Sequence, residues 1–194
     1  PALFGALTLV VVWKATRALK GNMFALVLGA TCILFSALLR LNMLYQPNSL
    51  DTLCWTSLFF LLIKYTDTEG SKWLYTAMLV LAIGFLNKYN IVFLVAGVLP
   101  ALLLTRHSVF KDKHLYISIL LFLVLISPNL AWQYSNGFPV YHHMQQLAKT
   151  QLVNVNRWNF LKDQLLFFMG ALVVIISALY ALLFYPPFKK YRFF

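Results

Sequence analysis

The sequence predicts an all-α fold: a polytopic membrane helix bundle of about seven transmembrane or membrane-embedded helices, forming one domain over residues 1–194. Three observations predict it. Residues are 61% hydrophobic and 11% charged, against about 25% charged in an ordinary soluble domain. The apolar residues fall in long blocks, as bilayer-crossing segments do. The basic residues sit between the blocks, singly or in small clusters, which is how a membrane protein arranges its loop charges. The net charge of +11 therefore reads as loop charge and not as a nucleic-acid footprint.

The blocks follow in order. Residues 1–13 open the chain inside an apolar run, with Pro1 first and no recognisable signal peptide. Further sequence is expected to precede them. Block 23–45 is long enough to cross alone, since a span needs about 20 residues at 1.5 Å rise each. Blocks 50–64 and 73–87 are short. They span with the help of their flanks, or one of them is re-entrant. Block 89–104 is parted from 73–87 by NKYN (87–90), which breaks one apolar run from Trp73 to Leu104 into a hairpin. Blocks 115–133 and 161–185 have full spanning length. Cys32 and Cys54 lie in apolar stretches without CxxC or metal-ligand spacing, and read as packing residues.

Loop charge gives an orientation. If residues 14–22 face the cytoplasm, alternation puts 64–72, 105–114 and 186–194 on the same side. Lys14, Arg17, Lys20, Lys64, Lys72, Arg106, Lys111, Lys113, Lys189, Lys190 and Arg192 then make eleven of the sixteen basic residues. Arg40, Lys88, Lys149, Arg157 and Lys162 remain for the other side, spread over longer stretches, and the outer face carries 40–51, 87–90 and 134–160. The inner loops are short connectors. The outer ones hold the unusual polar groups, as functional loops on a rigid scaffold do.

Each outer group has two readings. NKYN is a surface turn with Lys88 snorkelling outward, or a cation held against an anionic head group. In QPNSLD (46–51), Pro47 stops one helix, Asn48 or Ser49 caps the next, and Asp51 suits its first turn. Asp51 is also a candidate for the site. In SPNLAWQ (127–133), Pro128 bends a helix. Asn129, Trp132 and Gln133 then share a face at i, i+3 and i+4. An aromatic belt accounts for Trp132 and Tyr134, and accounts less well for the two amides. His142 and His143 are adjacent, so on a helix they diverge by about 100° and make poor joint metal ligands. No Gly-rich phosphate loop, HExxH motif or Ser-His-Asp arrangement is present, and no internal repeat is evident.

The order of these pieces carries a resemblance. RALKG (17–21), QPNSLD, GFLNKY (84–89), then SPNLAWQ with NGF (136–138) is similar to the membrane core of family 39 glycosyltransferases. That group takes in dolichyl-phosphate-mannose protein mannosyltransferase-like proteins and bacterial aminoarabinose-transferase relatives. The resemblance implies a GT-C fold in a multi-pass plasma-membrane protein, with its site facing outside or the periplasm. It implies a hexosyl- or pentosyltransferase that moves a sugar from a polyprenyl-phosphate donor to an acceptor lipid, glycan or protein, with inversion. No cofactor is implied, and a role for a divalent metal stays open. The general base of the resembled family lies in a first outer loop, expected upstream of residue 1, so no catalytic residue is assigned and Asp51 does not take that role.

The substrate-binding candidates are Lys88, Tyr89, Arg157, Asp51, Asn129, Trp132, Gln133 and His142. A leaving polyprenyl phosphate calls for a cation, for which Lys88, Arg157 and Arg40 are available. Amides orient sugar hydroxyls, and aromatic faces stack on sugar rings. Two other classes share the outer polar groups: a transporter or flippase for lipid-linked sugars, and a non-catalytic membrane subunit. A transporter needs a polar route through the bilayer, and the apolar blocks carry almost no ionisable residue at mid-depth.

Overall fold

The computed structural model describes residues 1–191. Arg192, counted above with the basic loops, lies outside the described residues. All regular structure among the described residues is helical. It comprises α1 (Ala2–Ala18), α2 (Met23–Leu34), the short α3 (Leu38–Leu41), α4 (Asn48–Thr68), α5 (Ser71–Asn87), α6 (Ile91–Thr105), α7 (Lys113–Ser135), α8 (Pro139–Thr150), α9 (Arg157–Phe167) and α10 (Leu172–Phe184).

Helix α4 is the centre of the bundle, with α1 on one side and α5 on the other; α7 packs on α5 and α2 on α1. The core joins Cys54 and Leu58 of α4, Leu81 of α5, and Ile91 and Leu94 of α6. Gly84 lets α5 approach this closely. A Cβ there would overlap Ile91 Cδ1 and lie 3.2 Å from Cys54 Cβ, and Ile91 is fully buried. A second cluster, Leu74, Val109 and Leu115, closes the other end.

The hairpin expected at NKYN is present: α5 ends at Asn87 and α6 starts at Ile91. The two ends of the bundle differ as the loop charges require. At one end Arg106 pairs with Glu69 at 2.7 Å, and the Tyr75 hydroxyl meets His114 Nδ1 at 2.9 Å. Lys64 and Lys72 both lie over the Trp73 ring, 5.5 and 5.0 Å from its centroid, a cation–π arrangement. The opposite end carries the amides of α4, α5 and α7.

Large apolar side chains cover the outside, with Phe24 72% exposed, Phe93 77% and Val173 77%. Contiguous apolar surface on this scale suits lipid rather than water. Helix α7 alone among the described residues is long and apolar enough to cross a membrane unaided. Helix α4 has 21 residues but carries Asp51, Lys64 and Asp67. Helices α5 and α6 have 17 and 15, short of the roughly 30 Å hydrocarbon thickness at 1.5 Å per residue. The seven-span count is therefore not established by helix length.

Two expectations change. Block 23–45 is not one span: α2 stops at Leu34. Ser36 Oγ donates to Ile33 O at 2.9 Å and accepts from Leu38 N at 3.3 Å, a local alternative to the helical ladder. Block 161–185 is also broken: α9 and Met169–Phe184 meet at 54°. The two breaks face each other. Ala37 N donates to Phe167 O at 3.3 Å, and a Cβ on Gly170 would lie 2.7 Å from Phe35 O.

Candidate functional site

The polar end is built where the start of α4, the α5–α6 turn and the last turns of α7 converge. Pro47 stands before α4, and no side chain caps the helix. This corrects the expected cap: Ser49 Oγ donates instead to Leu41 O at 3.0 Å. Asn48 is freed for the turn across from it, and its Oδ1 accepts from Lys88 Nζ at 2.9 Å. Asn87 Nδ2 donates to Pro47 O at 2.9 Å, and Asn90 Nδ2 donates to Asp51 Oδ2 at 2.8 Å. Asn87, Lys88 and Asn90 of NKYN thus bind the start of α4 and the proline before it, and Tyr89, between them, turns the other way.

Tyr89 reaches α7. Its hydroxyl donates to Asn129 Oδ1 at 2.7 Å and accepts from Gln133 Nε2 at 3.0 Å. Its ring packs edge-on against Phe85, with centroids 4.8 Å apart. Gln133 is buried, at 7% exposure, and its Oε1 faces Val140 N at 3.4 Å at the start of α8. The turn between is tight, with Gly137 and Phe138 both at positive φ, 69° and 57°. Helix α7 runs through Pro128 without breaking. The proline removes the N–H that would bond Val124 O, and Ser127 Oγ donates to that carbonyl instead, at 2.8 Å.

The eight candidates separate by place. Asp51, Lys88, Tyr89, Asn129 and Gln133 form one connected end. Trp132 lies on the same helix as Asn129 and Gln133 but is 54% exposed, so its ring face is open. Arg157 is exposed at the first position of α9, next to the Asn156 cap, whose Oδ1 accepts from Trp158 N at 2.8 Å. No hydrogen bond or ion pair joins Arg157 to the cluster among the described residues. His142 is exposed on α8, as is His143, and its ring meets that of Tyr141 with centroids 5.9 Å apart.

Sequence reasoning missed Trp55. It sits one helical turn after Asp51, and the i, i+4 spacing was the available signal. Trp55 Nε1, Asp51 Oδ1 and Asn90 Oδ1 are all buried without a protein partner among the described residues. A donor and two acceptors in that condition carry a desolvation cost unless a polar guest or water meets them.

The electrostatics of this end are simple. Lys88 is exposed and has no carboxylate within ion-pair range among the described residues. One of its three N–H donors is used on Asn48, and two stay available. The end can therefore hold an anion at Lys88 and hydrogen-bond a polyol through its amides.

No curated protein and no solved structure was found to match the chain. The family model for dolichyl-phosphate-mannose-protein mannosyltransferase matches residues 1–132. That stretch holds α1 to α6, most of α7, and Asp51, Lys88, Tyr89, Asn129 and Trp132. With that match over most of its length, the chain belongs to the dolichyl-phosphate-mannose-protein mannosyltransferase family of membrane glycosyltransferases of the GT-C type.

Proposed function

We propose that the chain handles a polyprenyl-phosphate sugar at its polar end, on the non-cytoplasmic side, and transfers the sugar to an acceptor hydroxyl. One observation supports this best. Lys88 has no carboxylate in ion-pair range among the described residues, is steadied by Asn48, and stands among amides at the end opposite the basic loops.

In the reaction the acceptor oxygen bonds to the anomeric carbon as the bond to the phosphate oxygen breaks. The electron pair leaves with the polyprenyl phosphate, and the hydroxyl proton passes to a general base. Negative charge grows on the departing phosphate, and a preorganised cation is worth most there. Lys88 supplies it with its two unused donors. The Asn87 and Asn90 bonds to α4 fix the turn that presents Lys88, so little reorganisation is needed during transfer. The open face of Trp132 offers a stacking surface for the sugar. No general base is assigned within the chain, and Asp51 stays with Asn90 as a structural partner.

The test is sided turnover by the full-length protein in sealed proteoliposomes of known orientation. The proposal expects release of polyprenyl phosphate when the lipid-linked sugar and acceptor meet the face bearing Lys88. Transfer from a nucleotide sugar but not from the lipid-linked donor, or turnover only from the face bearing Arg106, would overturn it.

A further inference from the structure

An apolar cavity of about 420 Å³ opens between α4 and α10 at the basic end of the bundle. Phe59 and Leu62 of α4, Ala178 and Leu179 of α10, and Leu19 and Phe188 line it. A second cavity of about 430 Å³ shares Leu19, Phe188 and Tyr191 with the first and adds Lys20 and Asp67. The two adjoin, the first apolar inside and the second polar at its mouth, and each has the size of a ligand pocket.

We propose that this space holds one anionic phospholipid of the surrounding leaflet, an acyl chain between α4 and α10 and the phosphate at Lys20. Three observations converge on that occupant. The interior wall presents only aliphatic and aromatic side chains toward the chain's path. Lys20 is exposed and has no ion-pair partner among the described residues. Lys14 and Arg17 stand on the last turns of α1, just before Lys20, so basic residues cluster in the sequence leading to the mouth. A clustered basic surface at the head-group layer selects anionic over zwitterionic lipid.

The lipid would act as a wedge that seats α10 against α4. The site is distinct from the Lys88 end and does not rest on the proposed transferase chemistry. Lys20 holds φ at 63°, in the left-handed region where asparagine is well tolerated. Lys20→Asn therefore removes the charge without disturbing the turn.

Native mass spectrometry of the detergent-solubilised full-length protein tests this, with phosphatidylglycerol and phosphatidylcholine of matched chains as probes. Wild type should retain one phosphatidylglycerol in preference to phosphatidylcholine. Lys20→Asn should lower that preference about fivefold, the worth of one juxtamembrane lysine. Leu179→Trp, which fills the slot, should remove retention of both lipids, and Ala178→Leu should weaken it as a milder variant of the same kind. Equal retention of the two lipids, unchanged retention in Lys20→Asn, or unchanged retention in both cavity variants would overturn the site. Displacement of phosphatidylglycerol by polyprenyl phosphate at equal concentration would overturn the assignment of a membrane phospholipid as occupant.

Discussion

Replacing Tyr89 with phenylalanine removes one oxygen and leaves the ring on Phe85, so it isolates the two bonds that tie the α5–α6 turn to α7. Those bonds measure 2.7 Å to Asn129 and 3.0 Å from Gln133. The two lost partners differ in consequence. Asn129 is half-buried and can take water, so its loss is close to the net value of a hydrogen bond, about 1 kcal/mol. Gln133 is 7% exposed, so its Nε2 is left buried without a partner at a cost of about 1–3 kcal/mol. Tyr89→Phe should therefore destabilise the full-length protein by about 2–4 kcal/mol, read as a lowered unfolding midpoint in detergent. Pairing it with Gln133→Met should recover part of the loss, because the orphaned amide is gone. A coupling of about 1 kcal/mol is expected between the two sites. A Tyr89→Phe protein within about 0.5 kcal/mol of wild type, or full additivity in the double variant, would refute the reasoning.

Other outcomes follow from the same geometry. Gly84→Ala should cost about 1–3 kcal/mol by overpacking, because Ile91 is fully buried and Cys54 Cβ lies 3.2 Å from the new methyl; an unchanged denaturation midpoint would show that α5 can move away. Glu69→Gln should change stability by under about 1 kcal/mol, since the Glu69 partner of Arg106 is 68% exposed and exposed pairs contribute little; chemical denaturation measures it. A cysteine at Ser108, in a protein with Cys32 and Cys54 replaced, should react with an impermeant thiol reagent only after permeabilisation, and labelling of intact cells would reverse the orientation.

The fold was legible where local signals were strong. NKYN between two apolar blocks marked the α5–α6 hairpin, and Pro47 marked the start of α4. The breaks at 35–37 and 168–171 were not legible. Each lies inside a continuous apolar stretch, and each is stabilised by the other through Ala37 and Phe167, 130 positions apart by their numbers. No local pattern encodes such a pairing. The site shows the same division. Residue types at the polar end were readable because amides and a lysine are costly at a membrane boundary. Their partners were not: Asp51 meets Asn90 across 39 positions, and Tyr89 meets Gln133 across 44. The cap expected of Asn48 failed for the same reason. Lys88 claims its side chain from a distant turn, a tertiary contact that local capping preference does not anticipate.

The central claim is that Lys88 holds the phosphate of the lipid-linked donor. The direct measurement is turnover per folded molecule of Lys88→Gln and Lys88→Arg in the full-length protein, with a polyprenyl-phosphate sugar at saturating concentration. Loss of a preorganised cation at a departing phosphate should lower kcat by roughly tenfold or more in Lys88→Gln. Lys88→Arg should not restore the wild-type rate, because a planar guanidinium places its charge differently from a compact ammonium. Wild-type kcat in Lys88→Gln, with normal membrane insertion and an unchanged unfolding midpoint, would contradict the claim and leave Lys88 as an interfacial anchor.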